Sequence, residues 1–123
     1  MRKPWQSVAA AVAALGLTCS AAAQGAWPQK PVRLVIGFAA GTSVDVMARL
    51  AAGRMTESWS QATVVEPVVG AAGNLAAERV ARSSPDGYTL LWSGNAALVV
   101  NPWIYPRLGY DPRADFTPIT QEA

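Results

Sequence analysis

Apolar and polar positions follow two different spacings in turn along the chain. Residues Val32–Phe38 (VRLVIGF) form a nearly continuous apolar and β-branched run, which is typical of a strand buried on both faces of a parallel sheet. The spacing then becomes helical, with Asp45 and Arg49 as an i,i+4 pair on one face. Another face is apolar and is predicted to meet the core. It consists of Val44, Met47, Ala48, Ala51 and Met55.

The same succession occurs a second time. A strand is predicted at Thr63–Glu66. It is expected to end at Pro67, because proline has no amide hydrogen to donate to a central ladder. A small-residue turn follows at Gly70–Gly73, and Asn74 is suited to cap a helix over Leu75–Ser83.

A third strand is predicted at Tyr88–Trp92, between a turn at Pro85–Gly87 and a small polar turn formed by Ser93, Gly94 and Asn95. Strand, small-residue loop and helix therefore alternate along the chain. This order predicts an α/β fold with a parallel sheet and right-handed crossovers.

Prolines punctuate the rest of the chain. They leave room only for short helical turns, which are predicted to start at Asn101 and Asp111. The run Phe116–Thr120 is compatible with the start of a fourth strand.

The first residues have the pattern of an export signal. A positive start at Met1–Lys3 precedes an apolar stretch, Val8–Leu17, and then a run of small residues. We expect cleavage after Ala23, so that the mature chain begins at Gln24 and is periplasmic. A membrane anchor is disfavoured because the apolar stretch is too short, and lipidation at Cys19 is disfavoured by the residues before it.

Charge and composition narrow the function. The chain has 10 Lys and Arg against 8 Asp and Glu, and Arg2 and Lys3 of the signal account for the difference. The remaining charges are scattered with mixed sign, which argues against a nucleic-acid partner. The chain has no His, and its single Cys lies in the signal. Cysteine nucleophiles, Ser-His-Asp triads, disulfides and most transition-metal sites are thereby excluded from the mature chain, and an enzyme would depend on separated Asp and Glu residues.

The small-residue turns are the candidate chemistry, because carboxyl ends of parallel strands meet at the edge where ligands bind. Backbone N–H groups at the start of the first helix, with hydroxyls from Thr42 and Ser43, are suited to an anion. A carboxylate or a phosphate would fit. Asp45 would accept loop N–H groups and order the turn, or contact an amino group of the ligand. The turns are also consistent with mere tight connections.

Three stretches carry a family resemblance. KPVRLVIGFAAGTSVDVMARLAA, VVEPVVGAAGNLAAERVARSSPDGYTLL and NPWIYPRLGYDPRADFTPI, in order between Gln29 and Thr120, resemble the opening third of the Bug family. These are TctC-type periplasmic solute receptors of tripartite tricarboxylate transporters. The resemblance implies a two-domain, flytrap-like receptor that closes on a small carboxylate and presents it to membrane permease subunits. It implies no cofactor.

The resemblance also implies where the ligand binds. The family's first loop typically reads Phe-Ala-Pro-Gly-Gly-Gly-Thr-Asp, and the chain departs from it at Ala40, Thr42, Ser43 and Val44. The third turn lies where relatives contribute polar contacts. The candidate ligand-binding residues are Phe38, Ala39, Gly41, Thr42, Ser43, Asp45, Ser93, Gly94 and Asn95.

The expected architecture is a periplasmic-binding-protein-like fold. Residues 24–123 would form the first part of domain 1, with about three parallel strands and flanking helices. The remainder of domain 1 and the second lobe would be absent. The alternative to a working receptor is a truncated, non-functional remnant or a self-associating fragment of one, because a small open sheet has exposed edges.

Overall fold

A parallel sheet of three strands forms the centre of the molecule. The structure is a computed structural model that describes residues 27–121. Strands β1 (Val32–Ile36), β2 (Thr63–Pro67) and β3 (Thr89–Trp92) are arranged in the order β2-β1-β3. Both pairings of β1 are parallel, which confirms the predicted α/β fold with a parallel sheet.

The helices complete the element order. Helix α1 (Ser43–Trp59) joins β1 to β2, and α2 (Asn74–Ala81) joins β2 to β3. After β3 comes a stretch of wide turns, Ala96–Val100, which continues directly into a short α-helix, α3 (Asn101–Ile104). We call residues 96–104 the third-loop helix.

The central strand is buried as its apolar run predicted. Four of its five residues are buried and only Arg33 is exposed. The strand ends at Ile36 and does not reach Phe38 as predicted. The reason is a close approach at Gly37, where an added Cβ would lie 2.7 Å from the Cα of Gly73. The chain there packs against the second loop instead of extending the ladder.

Strand β2 stops at Pro67 as predicted, but Pro67 is its last residue, one position beyond the predicted end at Glu66. It pairs with Ile36 as the last residue of the ladder. Because β2 is an edge strand, a residue without an amide hydrogen is tolerated there. The next amide, of Val68, donates to the Ile36 carbonyl at 2.8 Å and closes the ladder.

The helices cover both faces of the sheet. On one face α1 places Ala48 and Ala52 against Leu34 and Ile36. On the other face α2, the third-loop helix and the segment after it meet around Ala77, Ala97 and Tyr110, with Leu91 of β3 packed against them. Consecutive side chains of β3 thus pack on opposite faces of the sheet, because side chains alternate between the two faces along a strand.

The predicted inner face of α1 was only partly right. Ala48 is buried, but Met47 is 47% exposed, and Asp45 and Ala52 are buried instead. The helix also exposes Leu50. Because α1 carries apolar residues on most of its circumference, spacing alone did not determine which face meets the sheet.

Helix α2 starts one residue earlier and ends two residues earlier than predicted. Asn74 is its first residue, not its cap. The cap position belongs to Gly73, and the helix start has no side-chain capping bond. The Asn74 side chain is used for other bonds, described below. Glu78 and Arg82, one helical turn apart, form an ion pair on the surface of the helix.

The segment after β3 also differs from prediction. The predicted short helical turn at Asn101 is present as α3, but it continues directly from the wide turns of residues 96–100, which were not predicted. The turn at Asp111 is present, with amides of Arg113 and Ala114 donating to its carboxylate at 2.8 and 3.3 Å. Residues 116–120 form no strand within the described part of the chain. Phe116 instead packs edge-to-face on Tyr110.

The predicted signal segment, its cleavage after Ala23 and Cys19 all lie outside the described residues and remain predictions. Between residues 27 and 121, every helix is too short or too polar to cross a membrane.

Candidate functional site

The strand order opens a crevice at the carboxyl edge of the sheet. Strands β1 and β3 are neighbours. Helix α1 leaves β1 towards one face of the sheet, whereas the third-loop helix leaves β3 towards the other. Their connecting loops therefore diverge, and this is the position at which open α/β sheets bind ligands. The predicted residues of the first loop (37–42) and third loop (93–95) border this crevice.

The second loop lies against both of the others. A Cβ added to Gly37 would collide with Gly73, and one added to Gly73 would lie 3.6 Å from Ala97. The second loop thus approaches both the first loop, at Gly37, and the third-loop helix, at Ala97, through the same residue, Gly73. The second loop therefore packs between the two loops that border the crevice.

Thr42 caps α1 and donates its only hydroxyl hydrogen within the first loop. Its Oγ1 accepts from the Asp45 amide at 3.3 Å and donates to the Ala39 carbonyl at 2.8 Å. A hydroxyl has a single hydrogen, so Thr42 has none left to donate to a ligand. Gly41, at φ +84°, takes the left-handed conformation that glycine adopts at little cost and turns the chain into the helix.

Asp45 orders the first loop. Its side chain is 4% exposed, and its Oδ2 accepts from the Gly41 amide at 2.9 Å and from Arg49 Nε at 3.0 Å. The hydrogen bond from Arg49, followed by that from the Gly41 amide, holds the pKa of Asp45 below its usual value. The Oδ1 atom is buried and has no partner among the described residues. Asp45 thus holds the loop, which was the first of the two roles predicted for it.

Two backbone amides remain free at the start of α1. The Gly41 amide is taken by Asp45, whereas the amides of Ser43 and Val44 donate to no group among residues 27–121. The exposed Ser43 hydroxyl is also without a partner within that range. These donors stand at the positive end of a 17-residue helix, which is where an anion is stabilised.

The third loop presents a second, polar border. Ser93 donates its hydroxyl to the Gly94 carbonyl at 3.0 Å. Gly94 and Asn95 are exposed, and an added Cβ on Gly94 would meet nothing within 4 Å. In the first loop, Phe38 is half-buried and Ala39 is exposed. Backbone groups and small side chains therefore line the crevice.

Two concavities lie away from the crevice. One of about 290 Å³ lies at the amino edge of the sheet, beside Lys30, Asp86 and Tyr88. Another of about 530 Å³ lies beside Trp103 on the third-loop helix. Neither of these two concavities is lined by residues of the first loop or by residues 93–95. Between residues 27 and 121, no three His, Cys, Asp or Glu side chains converge as metal ligands.

Sequence reasoning missed one polar group near the crevice. Asn74, Asn101 and Tyr110 are buried and bonded to one another behind the third loop. Burial raises the pKa of the Tyr110 hydroxyl. Tyr110 lies in a motif that carried the family resemblance, but nothing in its spacing indicated its partners.

The fold is an open α/β sheet whose loops diverge at the carboxyl edge, which is the architecture of many ligand-binding proteins. A sequence model described as tripartite tricarboxylate transporter family receptor, TctC, matches residues 47–123, which is more than half of the chain. The chain therefore belongs to this family of receptors, as the resemblance indicated. The family is one of binding proteins and not of enzymes.

Known relatives extend well beyond this chain. A UPF0065 protein of Bordetella bronchiseptica is 47% identical over 105 residues, which are 85% of this chain and 31% of that protein. The chain spans about a third of the length of the curated relatives it matches.

Solved structures share the fold. MatC of Rhodopseudomonas palustris, with bound malate, is 38% identical and superposes with a TM-score of 0.71 over 75% of this chain and 31% of MatC. Rpa4515 of R. palustris, with adipate, is also 38% identical, with a TM-score of 0.68 over 71% of this chain and 29% of that protein. The solved relatives include periplasmic binding proteins.

Proposed function

We propose that the chain is the amino-terminal part of a periplasmic receptor that binds a small carboxylate and delivers it to the permease subunits of a tripartite tricarboxylate transporter. The observation that carries the proposal is the pair of free amides, Ser43 and Val44, at the start of α1 beside the crevice. Export would follow cleavage of residues 1–23 after Ala23.

The free amides suit a carboxylate for a physical reason. Two N–H groups of one helical turn point along the helix axis and carry the positive end of its dipole, so they bind an anion without a cationic side chain. The nearby cation, Arg49, is occupied by Asp45 at 3.0 Å. Binding would therefore depend on backbone hydrogen bonds, and the Ser43 hydroxyl would add a third donor. The relatives with malate and adipate bound, both small dicarboxylates, support this choice of ligand.

Tight binding requires more than this edge. Ligand sites bury most of the ligand surface, whereas the crevice of the described residues is open on one side. In water, each hydrogen bond to the carboxylate replaces one to solvent and contributes little. We propose that the part of the relatives that extends beyond this chain supplies the second lobe, and that closure of the two lobes removes the carboxylate from water. The candidate contacts on this lobe are those of the first and third loops.

The test uses a hybrid receptor, in which residues 24–123 are continued by the remaining part of the Bordetella bronchiseptica relative. Ser43→Pro removes one free amide without breaking the helix. Proline is tolerated at the first helical position, and Thr42 already has the extended backbone, φ −75° and ψ 162°, that a residue before proline prefers.

We expect Ser43→Pro to weaken binding of the preferred dicarboxylate by about 1.5 to 3 kcal/mol, the value of one charge-assisted hydrogen bond, measured by titration calorimetry. Ser43→Ala separates the contribution of the hydroxyl. Glu57→Gln is the control, because Glu57 lies on the body of α1 in an exposed pair with Arg54 at 3.4 Å. Equal affinities for Ser43→Pro and Glu57→Gln, with folding intact by circular dichroism, would contradict the proposed site.

A further inference from the structure

A buried polar cluster lies behind the third loop, formed by Asn74, Asn101 and Tyr110. The three residues are 8%, 3% and 7% exposed. The Asn74 carboxamide oxygen accepts from Asn101 Nδ2 at 2.6 Å and from the Tyr110 hydroxyl at 2.8 Å. An amide oxygen has two lone pairs, so Asn74 is fully used as an acceptor. We call this group the amide cluster.

The amide cluster also binds backbone on both sides of it. Asn101 Nδ2 donates to the Ala72 carbonyl of the second loop at 3.1 Å. The Tyr110 hydroxyl also lies within hydrogen-bond distance of the Ala97 carbonyl in the third-loop helix. Its single hydrogen is therefore shared between the Asn74 carboxamide oxygen and the Ala97 carbonyl. The cluster therefore connects the second loop, the start of α2, the third-loop helix and the segment after it.

The third-loop helix has few other anchors. Between residues 95 and 104 only Ala97 and Asn101 are buried, while Val99, Trp103 and Ile104 are 60%, 84% and 64% exposed. Burial of a single alanine methyl group stabilises a helix position only weakly. The half-buried Leu98 packs against the same core, and the bonds of the amide cluster add the directional restraint on where this helix lies.

Asn74 has no competing local role that would explain its burial. It is the first residue of α2, but no side-chain capping bond is made at that helix start. A buried amide is costly unless its polar atoms are paired. Both groups that donate to the Asn74 carboxamide oxygen come from outside α2. These bonds therefore position the third-loop helix and do not stabilise α2 itself.

We propose that Asn74 is a positioning residue. Through Asn101 and Tyr110 it holds the third-loop helix against the second loop, and it thereby sets where Gly94 and Asn95 stand at the crevice. The meaning of this placement for carboxylate binding rests on the proposed function, but the placement itself needs no ligand.

The test is amide hydrogen exchange on the full chain without ligand, followed by mass spectrometry. Asn74→Ala removes the shared acceptor, so one hydrogen of Asn101 Nδ2 loses its partner and the Tyr110 hydroxyl keeps only the Ala97 carbonyl among the described residues. Tyr110→Phe removes that hydroxyl. We expect peptides covering residues 93–104 to exchange about tenfold faster in Asn74→Ala and several-fold faster in Tyr110→Phe, because local opening becomes easier. Peptides of β1 and α1 should keep their rates.

Two variants make the test specific. Asn74→Asp keeps an acceptor oxygen for both partners, so residues 93–104 should exchange within about twofold of the rate in the natural chain. If Asn74 only filled space, the added charge would be expected to speed up exchange instead. Tyr105→Phe is the matched control for Tyr110→Phe, since Tyr105 is 38% exposed and its hydroxyl makes no bond among the described residues.

Equal acceleration in all elements, or an Asn74→Asp variant as fast as Asn74→Ala, overturns the proposal. So do unchanged rates in residues 93–104. If Asn74→Ala does not fold, the comparison of Tyr110→Phe with Tyr105→Phe decides. Because no carboxylate is present, a negative result here leaves the receptor proposal standing, and a receptor that fails to bind leaves this result unaffected.

Discussion

The two loops that border the crevice are held in place in different ways. The first loop is held by its own residues, since Gly41, Thr42 and Asp45 bond to one another and Arg49 lies one turn further on. The third loop is followed by a helix held from outside, through Asn74 in α2 and Tyr110 beyond that helix. The first loop is therefore held by bonds between near neighbours in sequence that include a charged pair. The third loop is held by bonds between uncharged residues that are distant in sequence.

This difference should appear in how much each set of bonds contributes to the free energy of unfolding. A local, partly exposed set of bonds is screened by water and contributes modestly. Neutral groups bonded in a buried network lose more when one partner is removed, because the other partners are left unpaired away from water. The comparison predicts larger effects on stability for the residues behind the third loop than for those of the first.

The largest effect is expected for Asn101→Ala. The change removes the donor that serves both Asn74 Oδ1 and the Ala72 carbonyl and should lower the free energy of unfolding by about 2 kcal/mol, measured by urea denaturation with circular dichroism. Asn95→Ala is the matched control, because Asn95 is exposed and should change stability by less than about 0.5 kcal/mol. Similar losses in both variants would remove the basis of the comparison.

An intermediate effect is expected at the helix cap. Thr42→Ala deletes the side-chain acceptor for the Asp45 amide and should cost about 1 kcal/mol in the same denaturation experiment. Thr42→Ser keeps the hydroxyl and should retain most of the stability. If Thr42→Ala costs more than Asn101→Ala, the first loop is the better anchored of the two and the ranking is wrong.

The smallest effect is expected from protonation of Asp45. Its pKa is lowered in the folded chain by Arg49 and the Gly41 amide, so its contribution to stability is complete above about pH 4 and is lost as the pH falls through the lowered pKa. Arg49 is half exposed, which limits the contribution. The midpoint of urea denaturation should fall on acidification, and it should fall less in Asp45→Asn. Parallel pH profiles would show that Asp45 is not the ordering group.

The same difference explains what the sequence could predict. The first loop was recognisable because its capping hydroxyl, its glycine and its i,i+4 pair lie within nine residues, and the apolar run of β1 identified the strand before it. The amide cluster was not recognisable, since its bonds span 27 and 36 residues and depend on how α2 and the third-loop helix pack. Asn74 was even misread as a cap, because asparagine after glycine before a helix is a common local signal.

Two further misreadings have the same origin. Pro67 was placed just outside β2 although it is the last residue of the ladder, because the position of a strand in the sheet, central or edge, is decided by topology and not by the strand's own residues. Met47 was placed in the core because α1 is apolar on most sides, so its orientation depends on the close contact of Ala48 and Ala52 with the sheet. Turns, caps and strands that depend on neighbouring residues could be predicted from the sequence. Which face of a helix is buried, and which strand lies at the edge of the sheet, could not.

The central claim is that the free amides of Ser43 and Val44 bind the ligand carboxylate. The most direct measurement is a titration of the nitrogen-15-labelled hybrid receptor with malate and adipate, followed by NMR of the backbone amides. We predict that the Ser43 and Val44 amide protons shift downfield and saturate together with the calorimetric binding curve, while the Gly41 amide, already bonded to Asp45, shifts much less. Saturable binding that leaves Ser43 and Val44 unmoved would place the carboxylate elsewhere and contradict the account.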